Sequence, residues 1–240
     1  MHNVLVTGGS RGLGLAIAST LAARGYKVIA LARSNTAELR AAMNARPENL
    51  LFRACDLADT AGIGAMVAQL RRDTGPIYGL VNNAGLGTGG LLSMMRDGDI
   101  ESLVRLNTLA PLILTKYLLR SMMAAGQGRI VNISSVVASN GFKALSAYSA
   151  TKASLEGFTR SLAREAGPLG ITVNAVAPGF VDTAMTSELN DKDRQRMIAR
   201  SALRRMVGPD DVAAAVAYLM SDEARNITGI TLTVDAGYTT

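Results

Sequence analysis

The sequence predicts a doubly wound parallel α/β sheet, and three observations carry that prediction. Short β-rich runs alternate with longer stretches of helical apolar spacing along all 240 residues. Alternation of this kind builds a parallel sheet covered by helices on both faces. A glycine-rich turn follows the first run directly, in the place where such folds turn from strand to helix. Finally, nothing divides the chain: it shows no repeat, no low-complexity tract and no linker, so residues 1–240 are expected to form one domain.

Seven strands are expected, at 4–7, 27–31, 50–54, 79–82, 129–134, 171–176 and 231–234. Helical spacing places helices near 13–24, 36–45, 60–73, 99–125, 147–167 and 210–220. One stretch breaks the rhythm, 179–208 between the sixth strand and the last helix. Insertions of that length at strand ends are usually functional, and a lid is expected near 184–205.

Composition narrows the class further. With 48% hydrophobic and 18% charged residues the chain is neither disordered nor fibrous. Its net charge of +6 suits an anionic partner without choosing one. Basic residues concentrate in Lys192 to Arg205, where Arg194, Arg196, Arg200, Arg204 and Arg205 alternate with apolar residues. No aromatic residue is interleaved there, so a solvated helix face is expected rather than a nucleic-acid surface. A single cysteine, Cys55, allows no internal disulfide. The chain opens MHNVLVTGG, without a charged leader, and no apolar run approaches the ~20 residues of a membrane span. A soluble cytoplasmic protein with no membrane partner is expected.

After the first strand comes Thr7-Gly8-Gly9-Ser10-Arg11-Gly12-Leu13-Gly14, then a helical pattern. Glycines let a pyrophosphate approach the backbone, and the helix start offers free N–H groups and a positive dipole end. The absence of Lys-Ser/Thr after the last glycine argues against a nucleotide-hydrolysing loop.

The spacing Gly-x-x-x-Gly-x-Gly resembles that of the short-chain dehydrogenase/reductase family. Further motifs follow in that family's order: Asn82-Asn83-Ala84-Gly85, Asn107 inside the long helix, Ser134-Ser135, Tyr148-Ser149-Ala150-Thr151-Lys152, and Pro178-Gly179. The resemblance spans Val4 to Gly237 and implies a Rossmann-type fold holding a nicotinamide cofactor. It implies cofactor contacts from Gly8, Ser10, Arg11, Gly12, Leu13, Gly14, Asp56, Leu57, Asn83, Ala84, Gly85, Pro178, Gly179, Val181 and Thr183, besides Tyr148 and Lys152. Asp56 is placed like the family's adenine-contacting Asp, with a second reading as the N-cap of the helix near 60.

Charge at the end of the second strand argues for NADP(H). The position that holds an acidic residue in NAD-specific folds is Ala32, and Arg33 follows. Arg33 and Arg11 are the cations expected at a 2′-phosphate, although Arg33 also reads as a solvated loop residue.

Tyr148 and Lys152, four apart on a helix, share one face. A nearby ammonium and an oxidised nicotinamide are expected to lower the phenol's pKa and fit it for proton transfer to a carbonyl oxygen. Ser135, thirteen residues before Tyr148 in the sequence, is expected to hydrogen-bond the same oxygen. By resemblance, Lys152 also binds the nicotinamide ribose, and Asn107 holds a water that resupplies protons. The only histidine, His2, and the one cysteine leave no Ser-His hydrolase and no zinc cluster, so no metal is expected.

Within the family the motifs of the fifth, sixth and seventh strands resemble 3-oxoacyl-[acyl-carrier-protein] reductases. That implies reduction of a 3-oxoacyl thioester to the 3-hydroxyacyl product, in a cleft lined by Val137, Phe142, Met185, Leu189, Met197, Ile198, Leu86 and Met94. Other ketones or alcohols, such as steroids, sugars and quinones, remain open at this stage. A non-catalytic NADP(H)-binding regulator would be marked by a broken Ser-Tyr-Lys set, which is absent. Two cations that the resemblance places for docking an acidic carrier are Gly126 and Leu169 here. Weak carrier dependence is therefore expected, with Arg96, Lys116, Arg120 and Arg129 as the available substitutes. Small residues Ala147, Ala150, Ser154, Gly157 and Ser161 form a stripe on the Tyr148 helix. It fits either the chain's own sheet or a partner, and the resemblance adds a homotetramer.

Overall fold

A computed structural model of the chain describes residues 1–181 and 191–240. Seven strands form one parallel sheet: β1 (Asn3–Thr7), β2 (Lys27–Ala32), β3 (Leu50–Ala54), β4 (Ile77–Asn82), β5 (Gly128–Ile133), β6 (Ile171–Pro178) and β7 (Thr231–Val234). Their order is β3-β2-β1-β4-β5-β6-β7. The chain winds outward from β1 in one direction, then returns to lay β4 on the other side of β1. That reversal opens a crevice at the carboxyl ends of β1 and β4, which is where open α/β sheets bind ligands.

The strands are continuous apolar runs because both faces are covered; every residue of β4 and β6 is buried. On one face α1 (Gly12–Ala23), α2 (Ala37–Ala45) and α9 (Pro209–Met220) bury Ile17, Leu21, Leu39, Val212 and Val216. On the other, α3 (Ile63–Thr74), α5 (Ala110–Ala125) and α7 (Ser146–Ala166) bury Val67, Leu114, Leu118 and Leu162. Each burial of such a side chain contributes roughly 1.5–3 kcal/mol.

The expected helix over 99–125 is interrupted. It consists of α4 (Asp97–Val104), a π-helical turn at Arg105–Leu109, and α5. Ala110 N donates to Arg105 O, five residues back, so the turn holds one residue more than an α-helix would. The helix expected from 60 begins at Ile63, because Asp56 and Asp59 first close two turns of their own, accepting from Ala58 N and Gly62 N. A short helix α6 (Val137–Asn140) and α8 (Asp191–Arg200) complete the set of α-helices among the described residues.

Polar groups are buried where the central strands meet these helices. Asn82 Nδ2 donates to Thr115 Oγ1 on α5 and to Asn132 Oδ1 on β5, and Asn132 Nδ2 donates to Thr159 Oγ1 on α7. Each of these bonds pairs a buried amide donor, so this row fixes the two helices against the sheet directly below the ends of β4 and β5.

Candidate active site

The crevice begins at Thr7, the last residue of β1. Its hydroxyl donates to Val81 O and accepts from both Asn83 N and Ala84 N at 2.9 Å, while Asn83 Nδ2 donates to Thr7 O. One side chain thus ties the two strands that part at the reversal. Gly8 then turns with φ +68°, a left-handed conformation that glycine adopts without strain. A Cβ at Gly8 would press on Asn83 Nδ2 and Ala84, and one at Gly14 on the Gly8 carbonyl.

No side chain caps the N-terminus of α1, and its first turn holds no acidic residue. The N–H groups of Gly12, Leu13 and Gly14 therefore have no capping side chain beside the glycine turn, which fits the pyrophosphate of a dinucleotide. Thr36 links the neighbouring loop to this turn: it N-caps α2 through Leu39 N and donates to Ser10 O at 2.6 Å. Arg11 and Arg33 are both exposed on this rim. Arg11 is close enough to help hold the Glu38 carboxyl below its ordinary range, after bonds from the Glu38 backbone and Thr36.

Leu57 and Val181 are both buried among core residues. Asp56 is exposed and engaged with Ala58 N rather than capping α3. Pro178 and Gly179 close β6, where Pro178 O accepts from Val136 N and Gly179 N donates to Val234 O. Thr183, Met185 and Leu189 lie outside the described residues.

At the end of β5, Ser135 is followed by α6, and its Oγ accepts from Val137 N at 3.4 Å. Tyr148 and Lys152 rise from α7 beside it, and the Ser135 hydroxyl is close enough to the Tyr148 phenol to favour its ionised form. Val137 is buried, Phe142 is exposed, and Ser149 Oγ donates to Val137 O at 2.6 Å, fastening α6 to α7. Ser134 Oγ donates to Glu156 Oε1 at 2.8 Å, a second tie between β5 and α7. Lys152 is fully enclosed: its ammonium donates to Ile133 O at 2.9 Å, and Nζ lies 5.6 Å from the Tyr148 ring centre.

Burial acts on the phenol against the lowering expected from the ammonium. It pushes Tyr148 up to about 12, outweighing the lowering by the Ser135 hydroxyl, and Lys152 does not offset it. Burial likewise pulls Lys152 down to about 8. The cause is common to both: desolvation disfavours whichever form carries charge.

Asn107 sits in the π turn and is buried. Its Oδ1 accepts from Leu86 N, and its Nδ2 donates to Leu86 O and to Thr151 Oγ1. Both amide protons are used, which leaves only a lone pair of Oδ1 for the water that the family resemblance implies. A Cβ at Gly85 would stand 3.2 Å from Asn107 Oδ1 and 3.5 Å from Lys152 Nζ, so glycine keeps the space between them open. Thr7, Thr36, Thr151 and Glu156 carry much of this geometry and were not singled out from the sequence. Thr7 alone had a signal, its place at the junction of strand and glycine turn.

Of the substitute carrier cations, Arg129 is removed. It is buried at the opposite, N-terminal edge of the sheet, 5.6 Å from the Tyr78 ring centre and 3.4 Å from Asp222. Arg96 pairs with Asp99 at 2.9 Å, and Lys116 and Arg120 are exposed on α5. No helix among the described residues is long and apolar enough to cross a membrane.

Fold and crevice together define a dinucleotide-binding α/β protein. Residues 8–239 match the family described as enoyl-(acyl carrier protein) reductase. The 3-oxoacyl-[acyl-carrier-protein] reductase FabG of Escherichia coli K12 is 43% identical over 97% of this chain and 95% of its own length. The FabG of Vibrio cholerae is 41% identical over the same shares. A solved structure described as a short-chain alcohol dehydrogenase from Sinorhizobium meliloti 1021 superposes with a TM-score of 0.94 at 33% identity, covering 99% of this chain and 96% of that one. The chain belongs to the short-chain dehydrogenase/reductase family, and is an oxidoreductase of that family.

The buried ammonium has a measurable consequence. Lowering Lys152 from 10.5 to about 8 corresponds to a folding cost on the order of 3 kcal/mol at neutral pH. Between pH 8 and 10.5 the unfolded chain binds a proton that the folded one has lost, so stability from this group rises with pH. Lys152→Met should therefore unfold at higher urea than the parent at pH 7, by on the order of 2 kcal/mol after loss of the Ile133 bond, with the gain shrinking toward pH 10. A less stable variant at pH 7 would show that the ammonium is not desolvated.

Proposed function

We propose that the protein reduces a 3-oxoacyl thioester to the 3-hydroxyacyl thioester with NADPH. The observation that carries this reading is the convergence of Ser135, Tyr148 and Lys152 beside the glycine-lined crevice. Ser135 and Tyr148 place two hydroxyl donors around one point, the arrangement that a ketone oxygen requires as negative charge develops on it. A carbon–carbon double bond offers no such oxygen at the reacting position. The names of the FabG relatives support the same substrate class.

NADPH, when bound, supplies the hydride. The chain's own residues do the rest. Gly8, Gly12 and the N–H groups opening α1 hold the pyrophosphate, while Arg11 and Arg33 stand on the rim for the 2′-phosphate. Asn83, Ala84, Gly85, Pro178 and Gly179 line the crevice toward β5. A phenol at about 12 is protonated at neutral pH, which suits a donor to an alkoxide-like oxygen that is more basic still. Lys152, held to Ile133 O, keeps a positive charge below about pH 8, which favours an anionic cofactor beside it.

The assembly we propose is a homotetramer. The small-residue stripe Ala147, Ala150, Ser154, Gly157 and Ser161 lies off the face of α7 that is buried against the sheet. It borders a surface cavity of about 350 Å³ lined by Leu92, Ile100 and Val104, with Val104 and Leu109 also exposed. That apolar face fits a second copy better than water.

Three measurements test this reading. NADPH should bind roughly ten to a hundredfold tighter than NADH, and Arg33→Ala should erase most of the difference; equal affinities in the parent would overturn the cofactor assignment. Tyr148→Phe should lose turnover while keeping cofactor affinity, whereas Lys152→Ala weakens both, and with NADPH limiting the reductive rate should fall above pH ~8. Substantial turnover by Tyr148→Phe would refute the donor role. Light scattering at micromolar concentration should give four times the chain's 25.1 kDa, and a monomer mass would exclude the assembly.

A further inference from the structure

The chain's net charge is +6, yet residues 191–205 alone carry six Lys or Arg against two Asp. Spacing suggested a solvated helix face, and the fold gives that face an address. Ser201 Oγ donates to Ala236 O at 2.7 Å, Ala202 N and Leu203 N donate to Gly237 O and Ala236 O, and Val207 bridges Val181. The segment is thereby pinned along the carboxyl ends of β6 and β7, the same edge on which Ser135 follows β5.

An aromatic row connects the two places. Phe142, just past α6, meets Phe180 edge to face at 5.5 Å, and Phe180 meets Tyr238 at 5.3 Å. The Arg200 guanidinium then lies 5.0 Å from the Tyr238 ring centre. Lys192, Arg196, Arg200, Arg204 and Arg205 are all exposed. Arg200, in the last turn of α8, complements the helix dipole, and Arg204 donates to Ala199 O in that same turn, while Arg205 lies beyond the helix end. The positions the resemblance reserved for docking cations, Gly126 and Leu169, instead precede β5 and β6 at the opposite edge.

We propose that the exposed basic face of residues 192–205 is the docking surface for an acidic carrier protein that presents the thioester, with the Phe142–Phe180–Tyr238 row leading its arm to Ser135 and Tyr148. This rests on the thioester reading above. Charge complementarity selects the occupant: a concentrated positive surface beside the cleft raises the encounter rate of a negative partner. It differs from the weak carrier dependence expected from residues 126 and 169.

The test compares kcat/KM for one 3-oxoacyl group on carrier protein, on coenzyme A and on N-acetylcysteamine, at ~20 mM and ~300 mM salt. Three proteins are assayed: the parent, Arg196→Glu/Arg205→Glu, and Lys116→Glu/Arg120→Glu on α5. The parent's carrier activity should fall severalfold with salt. Arg196→Glu/Arg205→Glu should lose roughly tenfold on carrier at low salt while staying within about twofold on N-acetylcysteamine, and the α5 variant should match the parent. Equal losses on coenzyme A would assign the cations to the shared phosphate and overturn the carrier surface. So would a loss confined to the α5 variant, or carrier activity indifferent to salt and to both variants. A parent inactive on all three thioesters would remove the proposed reaction itself, and the docking surface with it.

Discussion

The site depends on how two parallel strands are allowed to part. β1 and β4 are neighbours whose following segments leave in opposite senses, and the gap between them would expose backbone donors on both sides. The Thr7 hydroxyl satisfies two of those donors at once, at Asn83 and Ala84, and its own proton is taken by Val81 O. Close approach of the glycine turn to the Asn83-Ala84-Gly85 turn follows from that joint. So does the spacing between the cradle at α1 and the Gly85 passage leading to Asn107 and Lys152. Everything that faces the crevice is referred to this one hydroxyl.

Electrostatics in the site are governed by dehydration more than by mutual attraction. Tyr148 and Lys152 were expected to act as a charge pair, yet each is shifted toward its neutral form. The protein holds a reluctant acid beside a reluctant cation. Because Nζ already donates to Ile133 O, the lysine is anchored to the sheet rather than to the phenol. A bound dinucleotide adds charge where the protein has little, so the balance of the pair is set by what enters the crevice.

Strand order, helix order and the crevice were legible because they follow from apolar periodicity and glycine placement. All seven strands fall on the expected runs, with ends shifted by one or two residues where the ladder continues past the β-rich core, as at Ile77, Tyr78, Ala177 and Pro178. The π turn at Arg105–Leu109 was not legible, since apolar residues fit α and π spacing almost equally over five positions. Nor were the threonine ties at Thr7, Thr36 and Thr151, because a hydroxyl that bonds distant backbone leaves no local pattern. Arg129 was misplaced for a related reason. As the second residue of a strand it has no inside or outside until its neighbours Tyr78 and Asp222 are known.

The π turn also solves a problem of phase. A long helix shows one face to one neighbour along its whole length, but α4 packs against α7 while α5 packs against α3 and β4. One surplus residue rotates α5 by about 100° relative to its place in an uninterrupted helix. The two halves can therefore seat on different partners without a break in the chain. Asn107 occupies the rotation itself, so its clamp on Leu86 and Thr151 works as the index mark that keeps one half from turning against the other. Deleting a single residue from 105–109 would close the turn into ordinary α-helix with both halves still seated, and the loss would fall on the wide turn that carries Asn107.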